Sequence, residues 1–118
     1  MYPFKKVVVE SPYAGDIERN KAYLNVCLYD SILRGEAPYA SHKLYPDILN
    51  DDDPQERRLG IELGYTWLQA ANLVAFYTDF GWSPGMLACL KELKTFRLRV
   101  PFDIRKVKED VLNSIRVS

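Results

Sequence analysis

The chain has 118 residues, with 16 Lys plus Arg against 16 Asp plus Glu, so its formal net charge is zero. With 47% apolar and 13% aromatic residues it holds enough for one globular core, and not the composition of a disordered chain. The neutral balance supplies no global basic field, so a small molecule or a protein comes before an extended nucleic acid as a partner.

Residues 1–118 are expected to form a single domain. No apolar run approaches the roughly 20 residues needed to span a bilayer. The opening Met-Tyr-Pro-Phe-Lys-Lys-Val-Val-Val-Glu has too short an apolar stretch for a signal peptide, which gives a cytoplasmic expectation with no membrane partner. Cys27 and Cys89 form no Cys-x-x-Cys pair and have one histidine, His42, to help them, so neither metal nor cofactor is expected. Each cysteine is expected to fill a small apolar slot on a helix.

The first element is a strand over Lys5 to Glu10, whose β-branched Val7, Val8 and Val9 suit a buried parallel strand. Ser11-Pro12 ends it, and Asp16 offers an N-cap for a helix over Ile17 to Arg34. Ala22, Val26, Tyr29 and Leu33 recur at helical spacing and predict that helix's buried face, with Gly35 as its C′ stop. A short second strand is expected within Glu36 to His42, then a loop over Leu44 to Pro54. Asp53-Pro54 opens a second helix, running to about Ala71, with Leu59, Leu63, Trp67 and Ala70 inside. Leu73 to Tyr77 reads as the third strand. A loop follows, then a third helix from Gly85 to about Lys94, with Met86, Leu87, Leu90 and Leu93 apolar. Phe96 to Val100 is expected as a fourth strand broken by Pro101, and Asp103 to Ile115 as a last helix.

Such alternation predicts an α/β fold: a Rossmann-like three-layer sandwich, with a small parallel sheet of four to five strands and helices on both faces. Ligands bind such sheets at the C-terminal ends of the strands. Ser11–Asp16, Ser41–Tyr45 and Thr78–Gly85 then line one rim. Ser11, Pro12, Tyr13 and Asp16 make a small-residue loop feeding a helix N-terminus, where backbone N–H groups suit a phosphate or ribose hydroxyls. It is neither Gly-x-Gly-x-x-Gly nor a Walker loop. Asp16 is equally a helix cap, and Tyr13 equally a stacking surface or a cover for the core edge. His42 has no nucleophile motif beside it and reads as a hydrogen-bonding or structural imidazole. Asp51-Asp52-Asp53 lacks the spacing of a calcium loop and reads as a solvated loop plus helix cap. Glu56, Arg57 and Arg58 start the second helix, and Arg57 is taken as the cation facing the rim. Asp79, Gly81, Trp82, Ser83, Gly85 and Met86 form the most unusual stretch: an acid past a strand, glycines for close backbone approach, a stacking surface, and Ser83 as a cap before Pro84.

At these residues a resemblance enters. Val-Glu-Ser-Pro-Tyr at 9–13 and Val-Ala-Phe-Tyr-Thr-Asp-Phe-Gly at 74–81 resemble the opening and the later Asp-x-Gly loop of the nucleoside 2-deoxyribosyltransferase-like fold. With Ala-Pro-Tyr-Ala-Ser-His and Thr-Asp-Phe-Gly-Trp-Ser-Pro-Gly-Met, the chain looks like a family of uncharacterised, often phage-encoded proteins related to it, over about residues 5–100. The resemblance implies a Rossmann-like sandwich whose enzymes use a glutamate to attack an anomeric carbon. In their Asp-x-Gly-x-x-x-Glu pattern Asp79 matches the aspartate and Tyr13 the opening tyrosine, while the earlier rim carboxylate falls near Glu56-Arg57. The nucleophile position is Gly85, which has no side chain to form a sugar intermediate.

The expectation is therefore a binder of a nucleotide or nucleoside-derived small molecule that does not cleave it, leaning away from an enzyme. In a phage setting this suggests a sponge for a nucleotide immune signal. The alternative is a deoxyribosyltransferase or nucleotide N-glycosidase with a relocated carboxylate at Glu56, Asp53 or Asp79. A third possibility is a protein-interaction domain, its eight tyrosines forming a subunit or partner surface. A homo-oligomer is expected under each reading, because so short a domain has little room to wall off a pocket alone.

Overall fold

A computed structural model describes residues 2–95 and 100–107. The element order is β1 (Lys5–Glu10), α1 (Ile17–Leu33), β2 (Glu36–Tyr39), two single 3-10 turns (Ser41–Lys43 and Tyr45–Asp47), α2 (Pro54–Leu68), β3 (Leu73–Tyr77), α3 (Pro84–Thr95) and β4 (Phe102–Arg105). The four strands form one parallel sheet in the order β2-β1-β3-β4. The molecule is thus the expected small α/β Rossmann-like sandwich.

With that order, crossover handedness decides the faces. Stepping from β1 to β2 and then back past β1 to β3 with right-handed connections puts the two helices on opposite faces. The core divides accordingly. Val7, Val9, Ala75 and Tyr77 meet Tyr23, Leu24 and Cys27 of α1 on one face. Val8, Val74 and Phe76 meet Leu68 of α2 and Met86, Cys89 and Leu93 of α3 on the other. Alternate strand residues serve opposite layers, so Val7 to Val9 of β1 and the whole of β3 read as continuous apolar runs. Both cysteines are buried free thiols on helices, as expected.

The helix starts follow the predicted chemistry. Asp16 Oδ1 accepts from Arg19 N–H at 3.1 Å, Asp53 Oδ1 from Gln55 N–H at 2.9 Å, and Ser83 Oγ from Met86 N–H at 3.1 Å. Gly35 takes φ +82° just past α1, the left-handed geometry that favours glycine.

Other expectations are corrected. On α1 the buried residues are Asn20, Tyr23, Leu24, Cys27 and Ser31. Tyr29 and Leu33 stay exposed, as does Ala22, while Val26 only borders the core. On α2 Leu68 alone is fully buried, and Leu59 and Trp67 keep nearly half their surface. Ala70 lies past the helix end. Leu87 of α3 is exposed, and Cys89 takes its place on the inner face. The second strand stops at Tyr39, with Ser41–Lys43 in a 3-10 turn. The fourth strand lies at Phe102–Arg105, after Pro101, because those residues pair with Val74 to Tyr77. Asp103 to Arg105 are therefore strand and not helix. The expected strand over 96–99 and the helix over 108–115 fall outside the described residues. Among the described residues no helix is long and apolar enough to cross a membrane.

A polar network crosses the α1 face. Arg105 of β4 donates to both oxygens of Glu36 of β2 at 2.8 Å. Ser31 Oγ donates to Glu36 Oε1 at 2.8 Å, and Tyr77 OH to Asp30 Oδ2 at 2.7 Å. The Arg105 guanidinium holds the Glu36 carboxyl below the usual carboxylate range. One ion pair thereby joins the two edge strands, whose diagonal corners the sheet twist lifts toward one face.

Candidate functional site: the crevice between β1 and β3

β1 and β3 are central neighbours whose chains leave in opposite directions, one to α1 and one to α3. That is the topological switch point, where open parallel sheets place ligands outside the carboxyl ends of the strands. The loop 11–16 leaves β1, and the loop 78–83 leaves β3.

Both loops are fixed by local chemistry. Asn20 Nδ2 donates to the carbonyls of Tyr13 and Ala14 at 3.0 Å each, pinning the first loop onto α1. In the second, Gly81 has φ +83°, and its N–H donates to Thr78 O at 2.9 Å, closing a tight turn. The second loop is also tied to α1. The Arg19 guanidinium lies 4.3 Å from the Phe80 ring centroid, and Phe80 meets Tyr23 edge-on at 4.7 Å. Tyr23 OH donates to Asp79 Oδ1 and accepts the Asp79 N–H at 3.0 Å. Val107 N–H donates to the Asp79 carboxylate at 3.2 Å. Burial raises the Tyr23 phenol well above its ordinary range, so it remains a donor. Asp79 therefore knots α1, β3 and the segment after β4.

On the β1 and β2 side, Ser11 is 1% exposed and its Oγ has no hydrogen-bond partner among the described residues. A sealed orphan hydroxyl calls for an explanation, since buried polar groups are normally paired. Pro12 is buried beside it. The Tyr13 ring lies 5.2 Å from the His42 ring at 44°. Burial pushes the His42 imidazole below its usual value, against smaller opposing effects of Asp51 and the Ser11 backbone. A mostly neutral imidazole offers one donor and one acceptor.

On the β3 side, the Trp82 ring lies 5.0 Å from Phe76 at 38° and covers the α2/α3 core. Met86 is fully buried in that core. A Cβ at Gly85 would meet only Ser83 Oγ, at 3.9 Å, so the position has room for a side chain.

The structure thus brings Ser11, Pro12, Tyr13 and His42 together, and keeps Asp79, Gly81, Trp82 and Ser83 on the facing loop, with Gly85 in the first turn of α3. Asp16 serves as the α1 cap. Arg57 is elsewhere: with Arg58, Asp51, Asp52, Tyr65 and Glu92 it lines a cleft of about 520 Å³ along α2 and α3. The cation that reaches the second crevice loop is Arg19 of α1, over Phe80, which sequence reasoning passed over because it reads as ordinary first-turn surface. Among the described residues no group of three or more His, Cys, Asp or Glu is placed to hold a metal ion.

Glu10 was missed as well. It is the last residue of β1, 8% exposed, and its Oε1 accepts from Cys89 Sγ at 3.5 Å. Burial raises its carboxyl from 4.5 to about 7, the thiol hydrogen bond opposing. An acid closing a run of three valines was the available signal.

A protein-family model described as Domain of unknown function (DUF7768) matches residues 5–103. The chain belongs to the DUF7768 family. The match begins at the first residue of β1 and ends inside β4, so it takes in both crevice loops and every residue of this site named above except Val107. No curated protein matches the chain.

Proposed function

We propose that this DUF7768 protein binds a nucleotide or nucleoside-derived small molecule in the β1/β3 crevice and does not cleave it. The switch-point placement of the two loops carries the reading: Ser11–Asp16 and Thr78–Ser83 leave the central neighbours β1 and β3 at their carboxyl ends. The Ser11 hydroxyl, partnerless among the described residues, lies sealed at the base of the first loop. The Tyr13–His42 pair and Trp82 supply aromatic faces for a planar base, and neutral His42 a hydrogen bond. Gly85, where the resembling enzymes carry their nucleophile, offers no carboxylate. The resemblance to often phage-encoded proteins extends the proposal to a sponge that sequesters a nucleotide immune signal.

The carboxylates considered for a relocated mechanism already hold backbone N–H groups. Asp53 caps Gln55, Glu56 accepts from Asn50 N–H at 3.3 Å, and Asp79 holds Val107. This favours binding over cleavage. The proposal includes a homo-oligomer, supported by the exposed Tyr29, Ile32 and Leu33 on α1. Sedimentation as a strict monomer overturns that part. The binding claim is tested by calorimetry against the common nucleosides and 5′-monophosphates, followed by chromatography of the ligand. Saturable one-to-one binding with the ligand recovered intact is expected; release of free base refutes it.

A further inference from the structure

We infer that Glu10 is a ligand contact of the crevice, its free carboxyl oxygen accepting an N–H of a nucleobase that lies against Trp82. This rests on the nucleotide-binding reading above.

Placement comes first. Val8 and Val74 are register partners and both enter the α2/α3 core. Two residues on, Glu10 and Phe76 are partners on the same face, one strand spacing of about 4.8 Å apart. Phe76 carries Trp82 on its ring, so Glu10 lies beside the residue under the proposed stacking surface. It also directly precedes the orphaned Ser11.

The second observation is poor satisfaction. Burying a carboxyl is costly without good donors. Among the described residues Glu10 has one, the Cys89 thiol, which is a weak donor. Its other oxygen takes no hydrogen bond among the described residues. The fully sealed, partnerless side-chain oxygens there are those of Ser11 and Tyr39, so Glu10's second oxygen is partnerless without being fully sealed, in a residue 8% exposed. A carboxyl kept for structure alone would be better paired, as Glu36 is. A poorly paired carboxyl next to the strand residue that carries Trp82 suits one N–H donor from a heterocycle.

An N–H to that oxygen favours the ionised carboxyl. The groups around Glu10 are Cys89 and Tyr65, with Glu92 beyond them. Burial raises the Cys89 thiol, and pushes the Tyr65 phenol up to about 12, so neither changes charge between pH 6 and 8. Glu10 does, so binding tightens about tenfold across that interval.

The test is calorimetry of the intact protein with each common 5′-monophosphate and its base-methylated analogue lacking the N–H, at pH 6 and pH 8. Both ligands of a pair carry the same phosphate, so their difference isolates the base edge. For the nucleotide that binds, the analogue is expected to be at least tenfold weaker at pH 8, with the gap narrowing at pH 6. In Glu10→Gln the pH dependence of the gap disappears. The comparison on the unsubstituted protein needs no variant to fold. Equal binding of nucleotide and analogue, or an unchanged pH-dependent gap in Glu10→Gln, overturns the role of Glu10 and leaves nucleotide binding standing. No binding of any nucleotide overturns both.

Discussion

Glu10→Gln should change how stability depends on pH. The Glu10 carboxyl ionises near 4.5 when unfolded and at about 7 in the folded protein, because burial penalises its charge. Below pH 4.5 both states hold the proton. Between 4.5 and 7 the unfolded chain releases it and the folded chain does not, so wild-type stability falls by up to about 1.4 kcal/mol per pH unit. Above 7 the loss is complete, at about 3 kcal/mol in all. With 8% of the residue exposed, solvent screening does little to reduce this. The amide that replaces the carboxyl in the variant does not titrate. Urea unfolding of both proteins from pH 4 to 8 should show the variant gaining about 3 kcal/mol relative to wild type, mostly between pH 5 and 7. Contributions shared by both proteins, His42 among them, cancel in the difference. A difference that stays flat with pH would refute the burial argument for Glu10.

The chain has one histidine, so His42 gives a single imidazole resonance. Its NMR titration should have a midpoint below 6.5, and its stabilising contribution should be lost as pH falls through that midpoint; a midpoint at or above 6.5 contradicts its burial. Removing one partner of the buried Arg105–Glu36 pair strands the other charge. Glu36→Gln and Arg105→Met should each cost about 3 kcal/mol in denaturant unfolding, and together well under the sum; additive losses would show that the pair does not couple. Gly85→Glu enters open space in the first turn of α3 and should raise stability by roughly 1 kcal/mol through helix propensity and the helix dipole; a loss of that size would show the space to be filled.

The parts of the fold legible in the sequence were those set by local chemistry. Val7 to Val9 and Leu73 to Tyr77 are apolar because both sheet faces are covered, and their bounds could be read directly. Asp16, Asp53-Pro54, Ser83-Pro84 and Gly35 placed helix ends through caps and backbone geometry. The buried stripe of α1 was not legible, because polar Asn20 and Ser31 go inside to meet Tyr13, Ala14 and Glu36, and periodicity counts only apolar residues. β4 was not legible either. Phe102–Arg105 is four residues long, follows a proline and includes an aspartate, so it resembles a helix start. Its strand character comes from pairing with β3, and the burial of Arg105 from Glu36, far away in sequence. The loops of the crevice were readable from their Ser, Pro, Tyr, Asp and Gly residues. What they do to one another was not: Asp79 looks like a free rim acid until Tyr23 and Val107 are seen to hold it.

The central claim is that the β1/β3 crevice holds a nucleotide and leaves it whole. Native mass spectrometry of the purified protein, mixed with the common nucleosides and 5′-monophosphates and then denatured for chromatography, tests it most directly. The expected result is a bound mass for a defined nucleotide, lost on Trp82→Ala, with the same nucleotide recovered intact. No bound mass across the panel, or recovery of free base and sugar, would contradict it.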